Sequence, residues 1–143
     1  NNNNRPYRFF RLYDKRITED LGRQGLYAKK SLSLEPKMDM DDKWLVPWSR
    51  GLFDGDGSIY PQKNSANSIR YRMSLTGTES ILLFAQQIWG IEKKLDRYSS
   101  VPKFTVAGKG ETRKVLELLY GEATIYLDRK YELAKEAIRI NLL

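Results

Sequence analysis

Two acids, each followed by glycine, sit in the middle of the run Trp48-Ser49-Arg50-Gly51-Leu52-Phe53-Asp54-Gly55-Asp56-Gly57-Ser58-Ile59-Tyr60. The run opens with an apolar helical pattern and passes after Gly57 into strand-type alternation, so the carboxylates of Asp54 and Asp56 fall at a helix C-terminus. That end of a helix carries partial negative charge and repels an acid unless a cation compensates it. A hard divalent metal with oxygen ligands is such a cation. Glycines at 55 and 57 let the backbone turn sharply and let another segment come close. The stretch therefore reads as a metal-dependent site.

Other chemistries are narrowed by what the chain lacks. An EF-hand loop starting at Asp54 needs glycine at its sixth position and glutamate at its twelfth, and Ile59 and Ser65 stand there. A plain helix stop with a glycine turn is the bland alternative. The 143 residues include no cysteine and no histidine. Disulfides, thiolate zinc sites, cysteine nucleophiles, Ser-His-Asp catalysis and histidine-dependent nucleases are thereby excluded. Hydrolysis would rest on carboxylates, metal-bound water, lysine, arginine or tyrosine. Lys and Arg total 25 against 18 acids, a net charge of +7, and aromatics make up 12%. Such a balance suggests a polyanionic partner, nucleic acid first. No apolar run reaches membrane-spanning length and the N-terminal asparagine tract has no signal-peptide core, so an intracellular location is expected.

The elements that position the acids follow from periodicity. Upstream, a strand is predicted over Arg8–Tyr13, a helix from an Asp14 cap to Leu21 with Ile17 and Leu21 on one face, a basic pair Lys29-Lys30, a strand over Ser31–Leu34 and an acidic linker over Pro36–Asp42. The motif helix begins or bends at Pro47, with Trp44, Leu45, Trp48, Leu52 and Phe53 as its apolar surface. A strand starts at Ser58–Tyr60, followed by a polar loop over Gln62–Asn67. Ser68–Thr76 alternates cleanly: Ile69, Tyr71, Met73 and Leu75 share one face, and Ser68, Arg70, Arg72, Ser74 and Thr76 the other. Thr76 and Glu79 have capping-box spacing before a helix whose stripe is Ile81, Phe84, Ala85 and Ile88, ending at Gly90. Lys94–Tyr98 and Lys103–Ala107 read as a hairpin. A helix from Thr112 carries Val115, Leu118 and Leu119 to Gly121. The last helix, Leu127–Ile140, has Leu127, Tyr131, Ala134 and Ile138 along one side. Arg129 and Lys130 stand at its start, where the helix dipole does not favour cations, a placement that fits phosphate. Lys103–Lys130 resembles Arg8–Lys30 in spacing, a hint of an incomplete repeat.

In this context Arg50-Gly51-Leu52-Phe53-Asp54-Gly55-Asp56-Gly57-Ser58-Ile59 resembles the motif of the LAGLIDADG homing endonucleases. Thr76-Gly77-Thr78, the run from Leu119 to Tyr131, and Ile17–Gly22 with Lys30-Ser31-Leu32 extend the resemblance over most of the chain. It implies an α+β fold, an αββαββα half with an antiparallel saddle-shaped sheet packed on helices, over residues 43–143. Residues 1–7 are then a disordered tail, and 8–42 a strand-helix segment like the end of a preceding repeat. The resemblance makes Asp56 the metal-binding acid, with the Gly55 carbonyl as a further ligand of Mg2+ or another divalent cation. Gly51 and Asp54 belong to motif-helix packing, and Lys130 with Arg129 to catalysis near the scissile phosphate. The sheet would meet double-stranded DNA through Gln62, Asn64, Ser68, Arg70, Arg72, Ser74, Lys103 and Thr105. Thr76-Gly77 stands where some members have a polar side chain. The implied activity is site-specific double-strand DNA cleavage. The alternative is a non-cleaving intron maturase or a DNA- or RNA-binding regulator on the same fold. The chain carries one motif and a full site needs two, so the partner is a second copy or a covalently linked half.

Overall fold

The computed structural model describes residues 13–23, 35–36, 39–63, 68–97 and 100–141. Expectations for the tail, for the strands over Arg8–Tyr13 and Ser31–Leu34, and for Lys29, Lys30 and Asn64 lie wholly or largely outside the described residues. Helix α1 (Lys15–Arg23) starts where Asp14 accepts hydrogen bonds from the backbone N–H groups of Arg16 and Ile17 at 2.8 and 3.2 Å. It runs through Gly22 and buries none of its residues, so Ile17 and Leu21 stay exposed.

The motif helix, α2 (Asp42–Asp56), begins well before Pro47, which lies inside it. Asp41 supplies the start, its carboxylate accepting from the N–H of Lys43. Phe53 is fully buried, Leu45, Trp48 and Leu52 are half-buried, and Trp44 is 57% exposed, so the expected apolar surface is covered on one flank only. Trp48 packs edge-on against Phe84 at 5.4 Å.

At Gly57 the chain passes directly from helix to strand. Strands β1 (Gly57–Lys63), β2 (Ile69–Thr76) and β3 (Lys103–Val106) form an antiparallel sheet in the order β1-β2-β3. β1 is longer than expected: Gln62 and Lys63 pair with Arg70 and Ile69 rather than opening a loop. The alternation of β2 holds, with Tyr71, Met73 and Leu75 buried and Ile69 exposed at the strand's start.

Helix α3 (Glu79–Trp89) is capped by Thr78, whose hydroxyl accepts from the N–H of Ile81, and not by Thr76. Thr76 is held in β2 opposite Lys103. Gly90 ends α3 with a left-handed φ of 62°, a conformation glycine adopts without a Cβ penalty. Among the described residues the expected hairpin is reduced to β3 and a single bridge between Asp96 and Lys103. Just before that bridge, the side-chain amide of Gln86 takes both backbone groups of Lys93, donating to its carbonyl at 3.2 Å and accepting from its N–H at 2.5 Å.

Helix α4 (Lys109–Tyr120) starts ahead of Thr112, which is buried and donates to the Val106 carbonyl at 3.3 Å; Leu118 faces outward rather than into the core. Helix α5 (Asp128–Asn141) buries Ala134 and Ala137, while Leu127 just before it is exposed. Asn141 bonds both backbone groups of Tyr71, just beyond the reach of β3. The helices cover one face of the sheet. Trp89 lies edge-on between Phe53 and Phe104, with centroids 5.8 and 5.5 Å away. No helix among the described residues is long and apolar enough to cross a membrane.

The two motif glycines differ in what surrounds them. A Cβ on Gly57 would lie 2.1 Å from Phe53 Cδ2 and 2.6 Å from the Phe53 carbonyl oxygen, whereas one on Gly55 would meet nothing within 4 Å. Gly57→Ala should destabilise the fold by about 1–3 kcal/mol through overpacking. Gly55→Ala, inside a helix, should be neutral or stabilising by up to about 1 kcal/mol. Urea denaturation of both variants measures the contrast.

Candidate active site and nucleic-acid interface

The two acids of the motif have different surroundings. Asp54 is turned into its own chain. Its Oδ1 accepts from the Tyr120 hydroxyl at 2.6 Å and its Oδ2 from the Leu127 N–H at 2.9 Å, which places its charge beside the N-terminal end of α5. Asp56, the last residue of α2, is exposed and among the described residues accepts no hydrogen bond and forms no ion pair. It is the carboxylate free to take an external ligand, with the carbonyl of exposed Gly55 beside it in sequence. Among the described residues no cluster of three or more acidic side chains could hold a metal. Asp56 and the Gly55 carbonyl are oxygen donors of the kind a hard divalent cation takes, too few to hold one by themselves.

Lys130 explains why cations stand at the start of α5. Its side chain is buried, 3% exposed, and Nζ donates to the carbonyls of Phe53 and Gly57, each at 2.5 Å. It also sits 5.0 Å above the Phe53 ring. The ammonium caps the C-terminal end of α2, where helix carbonyls lack partners. Burial lowers its pKa most and the Arg129 guanidinium lowers it further, against the opposing pull of Asp54 and Asp56. Arg129 itself is exposed. The Tyr120 hydroxyl is held protonated far above the ordinary tyrosine range, by burial first and by Asp54 second.

Four residues apart on α2, Arg50 and Asp54 grip neighbouring residues of α4: Arg50 Nη1 donates to the Leu119 carbonyl at 2.9 Å and Asp54 takes the Tyr120 hydroxyl. The opposite flank of α2 is open. A Cβ on Gly51 would meet nothing within 4 Å.

The register of the sheet sorts the remaining candidates. Gln62 lies opposite Arg70, and Ser74 stands between Ser58 and Thr105. Lys103 lies opposite Thr76. Ser68 precedes β2 in the same alternation and is exposed. Gln62, Arg70, Arg72, Ser74, Lys103 and Thr105 therefore share the face away from the helices. The structure adds Tyr60, opposite Arg72, and Ser58, both exposed on that face. The alternation from Gly57 onward was the signal for these two. Gln62 Oε1 and the Nε atoms of Arg70 and Arg72 are covered from solvent and have no hydrogen-bond partner among the described residues.

No protein-family model matches the chain, and no curated protein matches it. Solved structures do. The homing endonuclease I-CvuI, in complex with its target in the presence of calcium, superposes with a TM-score of 0.59 at 26% identity, covering 71% of this chain and 68% of that one. I-CvuI on the I-CreI target in the presence of magnesium, with the DNA not cleaved, gives 0.58 at 25% identity over the same shares. The homing endonuclease I-TnaI gives 0.54 over 73% of each chain at 18% identity, a likeness of fold alone. The α+β homing-endonuclease fold expected from the sequence is the fold observed, with its sheet reduced to three strands among the described residues.

The depressed pKa of Lys130 has a defined consequence for stability. The folded state binds this proton more weakly than the unfolded chain, so the cost of burying the ammonium is present at neutral pH and is relieved as pH rises from the lowered native value toward the ordinary 10.5. Over that window the unfolding free energy of the wild type should rise relative to that of Lys130→Met. Denaturant melts of both proteins at a series of alkaline pH values measure the difference.

Proposed function

We propose that the chain is a site-specific, metal-dependent double-strand DNA endonuclease that contributes half of each catalytic site. One observation carries this reading: at the end of α2 one acid is fully engaged by its own chain and the other, Asp56, is presented outward with Lys130 buried behind it. A fold that only bound DNA would need the arginine-bearing sheet but not a bare carboxylate at a helix C-terminus, where it is electrostatically disfavoured. The fold's likeness to homing endonucleases in complex with DNA targets supports the substrate class.

The residues then divide the work. Arg70 and Arg72 can each donate to a guanine edge or a phosphate, and Gln62, Ser68, Ser74, Thr105 and Tyr60 can read neighbouring base edges or sugars along the major groove. Lys103, with Asn64 from the sequence expectation, would extend the contact to the DNA backbone. Asp56 and the Gly55 carbonyl would hold a divalent cation such as Mg2+. Bound there, it supplies water activation and neutralisation of charge at the scissile phosphate. Lys130 fixes the last turn of α2 and adds positive potential behind Asp56, and Arg129 stands exposed at the same end of α5. The open flank at Gly51 admits a second motif helix, from a second copy or a linked half, bringing the second acid.

I-CvuI on the I-CreI target in the presence of magnesium has its DNA not cleaved, so binding and cutting need separate readouts. On a duplex selected from a randomised pool by binding in calcium, the wild type should nick both strands in magnesium. Asp56→Asn should bind as well but cut at least about 100-fold more slowly, since even outer groups of metal sites are worth 10–100-fold. Binding without cutting by the wild type with two chains on the duplex would establish the non-cleaving maturase or regulator reading, and unimpaired cutting by Asp56→Asn would remove Asp56 from the site. Affinity should fall steeply with salt; a flat dependence would contradict a DNA-binding face. Light scattering on the complex identifies the source of the partner helix: two chains per duplex mean a second copy, which Gly51→Glu should displace, and one chain means a linked half.

A further inference from the structure

Asp54 is the point where three elements meet. It lies on the last turn of α2, its Oδ1 is bonded to the end of α4 through the Tyr120 hydroxyl, and its Oδ2 to the approach of α5 through the Leu127 N–H. The first turn of α5 follows from Leu127, whose carbonyl accepts from the N–H of Lys130 at 2.8 Å and of Tyr131 at 3.0 Å. Lys130 then returns to α2 at Phe53 and Gly57. The result is a closed circuit, α2 to α5 and back, with Tyr120 bracing it from the side. The Tyr120 ring is itself wedged at 6.4 Å from Phe53 and 6.2 Å from Tyr131.

We propose that Tyr120 is a positioning residue: its hydrogen bond to Asp54 locks the last turn of α2 against the start of α5, and so sets Asp56 and Lys130 in their working relation. The proposal rests on the endonuclease reading above. Two carboxylates stand two residues apart at a negative helix end, and only one is to face a cation. Tyr120 and the Leu127 N–H consume both oxygens of Asp54 and keep it turned inward. Without the hydroxyl, one oxygen of Asp54 faces the aromatic ring of residue 120 with no donor. Its lowest-cost alternative is to rotate outward, where it competes with Asp56 for the cation.

Tyr120→Phe removes the hydroxyl and keeps the ring packing. On the selected duplex it should bind in calcium as the wild type does, yet cleave about 10–100-fold more slowly in single turnover at saturating magnesium. Hydrogen exchange at the Leu127 amide should accelerate. Combined with Asp54→Asn, Tyr120→Phe should add little, because the two residues act through one contact. A readout independent of cutting is anomalous diffraction from crystals of the DNA complex soaked in Mn2+. Manganese should touch Asp56 and not Asp54 in the wild type, and Asp54 as well in Tyr120→Phe. A Tyr120→Phe protein that melts earlier but keeps the wild-type cleavage rate and manganese contacts would overturn the proposal, leaving Tyr120 a packing residue. If the wild type, with two chains on the duplex, binds without cutting, the endonuclease reading fails by itself, and the manganese contacts still decide for or against the positioning role. If no manganese binds to the wild-type complex, both fail.

Discussion

The C-terminal end of α2 is held by a buried ammonium. Lys130 reaches the carbonyls of Phe53 and Gly57 from the first turn of another helix, and it does so at 3% exposure. Burying a charge is costly unless it is paired and hydrogen-bonded, and the downward pull on its pKa records that cost. What offsets it is the partial negative charge of the helix end together with the carboxylates of Asp54 and Asp56. The same contact makes the abrupt change from helix to strand at Gly57 possible, since the first carbonyl of β1 is one of the lysine's acceptors. Gly57 also lies so close to Phe53 that no side chain fits there. The register of the sheet starts from this junction.

From this arrangement follows the asymmetry between two acids that look equivalent in sequence. Both acids feel the charge of Lys130, but Asp54 is also compensated inside the chain by hydrogen bonds from Tyr120 and from the start of α5. Asp56 is left outside that set of hydrogen bonds. The argument that a helix-end acid needs a cation is thus answered for Asp54 by an internal lysine and hydrogen-bond donors, and for Asp56 by the divalent cation proposed above. The sheet repeats the pattern on a larger scale: one face is filled by Met73, Leu75, Phe104 and Val106, and the other carries arginine and glutamine atoms without partners among the described residues.

Period-two alternation in β2 was legible because burial on one face dictates it directly. The helical stripes were legible only in part: α3 buries Leu82, Gln86 and Trp89 beside the expected Ile81 and Ala85, and α5 buries Lys130, Ala137 and Asn141 beside the expected Ala134 while Leu127 stays exposed. The ends of elements were less legible. Thr76 has the spacing of a cap, but the pairing with Lys103 claims it for the sheet and Thr78 caps instead. The hairpin expected over Lys94–Tyr98 and Lys103–Ala107 is reduced to β3 and one bridge among the described residues, next to a point where Gln86 of α3 bonds both backbone groups of Lys93. Of the candidate site, the acids and the arginine face could be read from composition and spacing. The inward course of Lys130 and the bond from Tyr120 to Asp54 could not, because each joins residues more than sixty positions apart.

The division between the two acids can be seen directly by anomalous diffraction from crystals of the chain bound to its selected duplex and soaked in Mn2+. The expected result is a manganese peak bonded to a carboxylate oxygen of Asp56, with Asp54 still bonded to Tyr120 and Leu127 and free of metal. A peak on Asp54, or a metal bound with no contribution from Asp56, would contradict the central claim that the internal lysine and hydrogen bonds reserve Asp56 alone for the cation.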